Sequence, residues 1–203
     1  MEYELNDMQI SALKEATNIG AGHAAIALSQ MLSKKIMIAV ASADIVPSDV
    51  FLHKMVGDNK LPLNGVYLKT FGDAQGAIVF MFKDESALKL CDLLLFRESG
   101  YTKSVDEQGQ AVLMELGSIL TGSFFSVLAD MLRLKVFNKA PAYVYDSADV
   151  LMHGIFKDVF GDIEQRLCFA TEFIESNQQI SGVFAFIPAQ DAMVKILETL
   201  NAN

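Results

Sequence analysis

Glu15 and Asn18 stand three residues apart in the stretch Ser11-Ala-Leu-Lys-Glu-Ala-Thr-Asn-Ile-Gly-Ala-Gly22. At that spacing on a helix, two side chains are neighbours on one face. A carboxylate can pair with a cation on a partner, and an amide, both donor and acceptor, can hold a water in a fixed orientation. Neither group is a nucleophile here, and an amide is no base near neutral pH, so the pair suits positioning and not covalent chemistry. An exposed helix face would present the same two residues with no function attached, so the spacing gains meaning only from its surroundings.

Other residue types offer less. His23, His53 and His153 do not stand at ligand spacing from a Cys, Asp or Glu, so no metal site of the chain's own is expected. His23 reads as a partly exposed helix histidine. Ser123 and Ser126 lack a base at any local spacing. There is no G-x-S-x-G, no phosphate-binding glycine loop and no dinucleotide fingerprint. Cys91 and Cys168 lie in apolar contexts and read as reduced core thiols.

The surroundings of the pair repeat. Ala111-Val-Leu-Met-Glu115-Leu-Gly-Ser118-Ile-Leu-Thr-Gly122 follows the first stretch at an offset of 100 residues without a gap. Leu13/Leu113, Glu15/Glu115, Ile19/Ile119, Gly22/Gly122, Leu28/Leu128, Met31/Met131, Leu32/Leu132 and Lys35/Lys135 are identical. An internal duplication is expected, with repeats of about 1–100 and 101–203. The second copy keeps the glutamate and has Ser118 where the first has Asn18.

The elements that must position these residues follow from periodicity. Asn6 to Ser33 reads as a helix that Asn6 or Asp7 can cap. Ile10, Leu13, Thr17, Ala21, Ala24, Leu28 and Met31 form the stripe expected to face the core. Ser11, Glu15, Asn18 and Gly22 form a second stripe, expected at the surface. Gly20 and Gly22 each weaken a helix by roughly 1 kcal/mol relative to Ala. Either a partner approaches the backbone there, or a neighbouring helix packs tightly. Strands are expected at 36–40 and 43–46, and a polar loop at 56–60. A hairpin is expected over 65–71 and 76–82, turning at Gly72-Asp73, followed by a helix from Asp84 to Leu95 capped by Asp84 or Ser86. The second half repeats the order, with a helix from Asp106 to Leu132, strands near 135–136, 142–145, 166–171 and 180–186, and a helix from Gln190 to Leu200. The polar stretch Arg97–Ser104 marks the seam. Helices segregated onto an antiparallel-rich sheet give an α+β class, with both halves sharing one sheet in a single domain, 1–203.

Apolar residues make up 52% of the 203, ample for one core, and the net charge of -9 argues against a nucleic-acid surface. No basic and apolar leader opens the sequence, and no apolar run is read as long enough to span a bilayer. A cytoplasmic protein with no membrane association is expected.

With Ser11, Glu15 and Asn18 in place, followed by Ile19-Gly-Ala-Gly22, the chain resembles the CheC/CheX/FliY family of bacterial chemotaxis phosphatases, and within it the CheC-like members. The family's signature is D/S-x3-E-x2-N with a Pro about twenty-two residues on. In the first copy that Pro is replaced by Ala41; in the second, Glu115 and Pro141 match, while Ala111 and Ser118 depart. The resemblance implies hydrolysis of the aspartyl phosphate of a CheY-like response regulator. It implies that Asn18 orients the attacking water, that Glu15 pairs with the regulator's lysine, and that Ser11 and Gly22 belong to the docking surface. The regulator would supply its own Mg²⁺, so no cofactor of the chain's own is expected. Glu115 and Ser118 would form a degenerate second site. A CheD-like deamidase is a further implied partner. The alternative is a non-catalytic module that sequesters the phosphorylated regulator or holds such a deamidase.

Overall fold

The structure, a computed structural model, describes residues 6–32, 38–47, 61–160, 167–175 and 180–202. Two apolar runs form its centre. β3 (Gly76–Phe82) and β7 (Ile180–Pro188) pair antiparallel, with Phe80 opposite Phe184. Both are buried along nearly their whole length, because layers of helix cover both faces of the sheet.

Beside β3 lies β2 (Pro62–Gly72), joined to it by a tight turn in which Gly72 takes φ +85, a conformation only glycine adopts without strain. The outer edge of β2 carries two strands end to end, β4 (Val136–Asn138) and β5 (Ala142–Ser147). On the other side β7 pairs with β6 (Leu167–Glu175), and β6 with β1 (Ile38–Pro47). The sheet therefore runs β1-β6-β7-β3-β2, closed by β4 and β5, with every pairing antiparallel. The two halves interlock in it: β1 completes the edge made by β6, and β5 the edge made by β2. The shared sheet agrees with expectation.

Side chains alternate across the pleat. Ile78, Phe80, Phe82, Phe184 and Phe186 enter one core beneath α2 (Asp84–Leu94), α3 (Glu107–Leu132) and α5 (Gln190–Ala202). The Phe124 ring of α3 meets Phe184 at 4.9 Å between centroids, edge to face. Val79, Met81, Ala185 and Ile187 point the other way, onto Leu151, Met152 and Ile155 of α4 (Ala148–Phe160). The first helix, α1 (Asp7–Leu32), packs against α3, β1 and α5.

Four details differ from the sequence reading. Residues 148–160 form a helix where none was expected; it buries Leu151, Met152 and Ile155, and the Ser147 hydroxyl accepts a 3.4 Å hydrogen bond from the Val150 amide at its start. The two expected strands between 36 and 46 are one strand, with a register shift between Val40 and Ala43. Neither Asp84 nor Ser86 caps α2, whose N-cap is Lys83 without a side-chain bond. Instead the Asp84 carboxylate accepts from Asn64 Nδ2 at 2.8 Å and Tyr145 OH at 3.0 Å, and Ser86 Oγ accepts from the Ser181 amide at 3.1 Å, so both fasten the helix to strands. Finally, α3 is long and apolar enough to cross a bilayer by length and composition, although here half of its most apolar stretch is buried inside the fold. The polar loop expected at 56–60 lies outside the described residues.

Candidate functional site

The start of α1 is fixed by its own sequence. Asn6 Oδ1 accepts from the Gln9 amide and Gln9 Oε1 accepts from the Asn6 amide, both at 2.9 Å. This reciprocal capping box satisfies two amide donors that the first turn would otherwise leave open. The expected cap at Asn6 is therefore present, with Gln9 completing it.

From that start, Ser11, Glu15, Asn18 and Gly22 all come out exposed on α1, so the four sequence-selected residues share one solvent-facing surface. Among the described residues no hydrogen bond or ion pair engages the Glu15 carboxylate or the Asn18 amide. Both groups remain available to an external partner. Of the stripe expected to face the core, Ile10 is half-buried; the side chains of Leu13, Thr17, Ala21, Ala24, Leu28 and Met31 lie outside the described set.

The two glycines separate in role. Gly20 is buried, and a Cβ there would stand 3.1 Å from Phe124 Cα, so it is the place where α1 and α3 pack backbone to backbone. Gly22 is exposed, and a Cβ there would meet nothing within 4 Å. Internal packing therefore accounts for Gly20 and leaves Gly22 without an intramolecular reason.

The stretch read from sequence as a second copy lies on α3, capped by Asp106, whose Oδ1 accepts from the Gly109 amide at 2.8 Å. Ala111, Glu115 and Gly122 are exposed, and Gly122 also has open space around it. Ser118 is only half-exposed, so its short hydroxyl is both nearer the backbone and more recessed than the Asn18 amide. The Pro absent at Ala41 falls at the break in the β1 ladder, while Pro141 immediately precedes β5.

No group of three or more His, Cys, Asp or Glu side chains that could hold a metal occurs among the described residues. His23 and His153 are exposed, and His53 lies outside the described set. The Cys91 thiol is fully buried, and burial, with the nearby Asp106 carboxylate, pushes its pKa up to about 11. It is a core thiol and not a nucleophile. The seam, which sequence reading took as a polar linker, is anchored by a buried carboxylate that it did not single out. Asp92, 4% exposed, accepts from the Gly100 amide at 2.7 Å and the Thr102 amide at 2.8 Å. A lone Asp in the apolar run of α2 was the available signal.

Comparison with known proteins bears on the same helix. A model of the CheC-like family matches residues 8–40, the stretch that contains Ser11, Glu15, Asn18 and Gly22. The CheY-P phosphatase CheC of Bacillus subtilis (strain 168) is 25% identical to the chain over 203 residues, 98% of this chain and 97% of that one. The crystal structure of Thermotoga maritima FliY superposes with a TM-score of 0.77 at 18% identity, covering 98% of this chain and 99% of that one. A chain of the Borrelia burgdorferi CheX–CheY–BeF3–Mg²⁺ complex superposes with a TM-score of 0.56 at 20% identity, covering 86% of this chain and 97% of that one. The likeness is to CheC in sequence, over nearly the whole chain, and to FliY and CheX in fold.

Proposed function

We propose that this protein dephosphorylates the aspartyl phosphate of a CheY-like response regulator, using one site on the outer face of α1. The observation that carries the reading is the joint exposure of Glu15 and Asn18, unpartnered, inside the segment that matches the CheC-like family. The relative named as a CheY-P phosphatase supports the reaction, and the CheX structure solved with CheY supports the partner.

The reaction needs little from the protein. The oxygen of a water bonds to phosphorus, the bond from phosphorus to the aspartyl oxygen breaks, and inorganic phosphate leaves with the carboxylate restored. Such transfer is governed by positioning and charge stabilisation, and a glutamine holds the water in GTPases. The regulator brings its own phosphoryl group and Mg²⁺. Asn18 then orients the water through its amide, and Glu15 binds the regulator's lysine, fixing the approach.

On α3, exposed Glu115 and open Gly122 can meet a partner, but recessed Ser118 has no amide for a water. Binding without turnover is the reading that this second face supports. The test is the decay of a phosphorylated receiver domain. Asn18→Ala should slow the accelerated decay on the order of 10²-fold, while Ser118→Ala should leave it nearly unchanged. Near-normal decay with Asn18→Ala defeats the assignment; equal losses from both variants mean both faces are catalytic. A wild-type protein that prolongs the phosphorylated state instead is a sequestering module.

A further inference from the structure

The exposed face of α1 carries two rows, flanked by exposed Lys14 on one side and exposed His23 and Gln30 on the other. Ser11 and Asn18 form a polar row. Met8, Ile19 and Ile26 form the other, eleven and seven residues apart, about three and two turns. All three are exposed, at 79%, 40% and 58% of their surface. Glu15 and Gly22 lie between the rows. Single exposed apolar residues need no explanation, but an aligned series spanning about 27 Å of helix beside a polar site does.

The matched helix α3 provides an internal control. The positions equivalent to Met8, Ile19 and Ile26 are Gln108, Ile119 and Ser126. Gln108 is exposed and accepts from Arg97 Nη2 at 2.8 Å, Ile119 is half-buried against the core, and Ser126 is exposed. The apolar row is thus missing from the helix that also lacks the amide.

We infer that Met8, Ile19 and Ile26 are the affinity-determining contact for the phosphorylated receiver domain, seating an apolar patch beside its acyl phosphate. The inference rests on the reading of Asn18 and Glu15 given above. Ile19 stands four residues from Glu15 on the helix, so a partner that pairs with Glu15 beside Asn18 also covers Ile19. One and two turns further along it must cover Gly22, which lacks a side chain to hold it off, and then Ile26. The apolar row supplies binding that is the same for ground and transition state, while Asn18 acts on the reaction itself.

The experiment writes the α3 residues onto α1. Met8→Gln with Ile26→Ser should weaken binding of a beryllofluoride-activated receiver about tenfold, the scale of two partly desolvated apolar side chains. The single-turnover rate at saturating receiver and the melting temperature should both be unchanged. The weakening should be the same at low and high salt, whereas that caused by Glu15→Gln should shrink as salt rises. An unchanged affinity overturns the inference while leaving the phosphatase reading intact. Weakened binding with a wild-type protein that does not speed decay keeps the inference and defeats that reading. Self-association of the wild type that the double substitution abolishes assigns the row to a second copy, and overturns the inference.

Discussion

The Asp92 carboxylate is buried where the seam meets α2. Burial, the largest influence on Asp92, raises its pKa, but the hydrogen bonds from Thr102, Gly100 and Tyr101 together outweigh it and hold the carboxyl below its ordinary value. The folded state then binds fewer protons than the unfolded one in acid. The stabilisation is full above the usual carboxylate range and is lost as pH falls through the lowered value. Asp92→Asn should lower stability by about 1–3 kcal/mol at neutral pH and flatten the acid limb of a urea-melt series taken from pH 7 to pH 3. A limb of unchanged slope would place the acid sensitivity elsewhere. Ser11, Glu15, Asn18 and Gly22 were legible in the sequence because helical spacing alone sets which residues share a face, and all four came out exposed. Asp92 was not, because its partners, eight to ten residues on, are mainly backbone amides, with the Thr102 side chain beside them, and no local side-chain pattern announces them.

Among the elements, the α1–α3 pair separates two uses of glycine. Gly22→Ala should raise stability by about 0.5–1 kcal/mol, since helix propensity improves and nothing is met. If the partner closes onto Gly22, the same change should weaken receiver binding. Gly20→Ala should instead lower the melting temperature, because the new methyl forces α1 away from Phe124. Paired thermal melts and binding measurements on the two variants check both. A stabilised Gly20→Ala would mean that α1 sits looser on α3 than the structure gives. Helices α1 and α3 were readable because a long apolar period coincides with a capping side chain at each start. The helix α4 was missed even though Leu151, Met152, Ile155 and Phe156 keep helical spacing. Gly154 and the β-branched Val150, Ile155 and Val159 dilute its propensity, and packing on the sheet decides the matter. For α2, Asp84 and Ser86 at its start looked like caps, but strands reach them first.

At the scale of the whole molecule we propose that the chain is one domain built from two related halves. The strand order reads alike from either edge when the halves are exchanged, β1 on β6 matching β5 on β2. Because each half finishes the other's sheet, neither should fold alone. Fragments 1–100 and 101–203 should each lack a cooperative melt, while a mixture of the two should regain one by circular dichroism. A cooperative transition in either fragment alone would show that the interlock is dispensable. Composition and period gave the fold class, but the exchange of strands between halves was not legible, since nothing in a strand's own residues names a neighbour so remote. That remoteness has a consequence during synthesis. Pro47 pairs with Leu167, 120 positions later. At about 5–20 residues per second, β1 leaves the ribosome on the order of ten seconds before β6 exists. Through that interval its amides and carbonyls offer an open ladder to any passing strand. The nascent chain is therefore at its most vulnerable to mispairing when it is more than half made, and its rescue waits on almost the last strand to be translated.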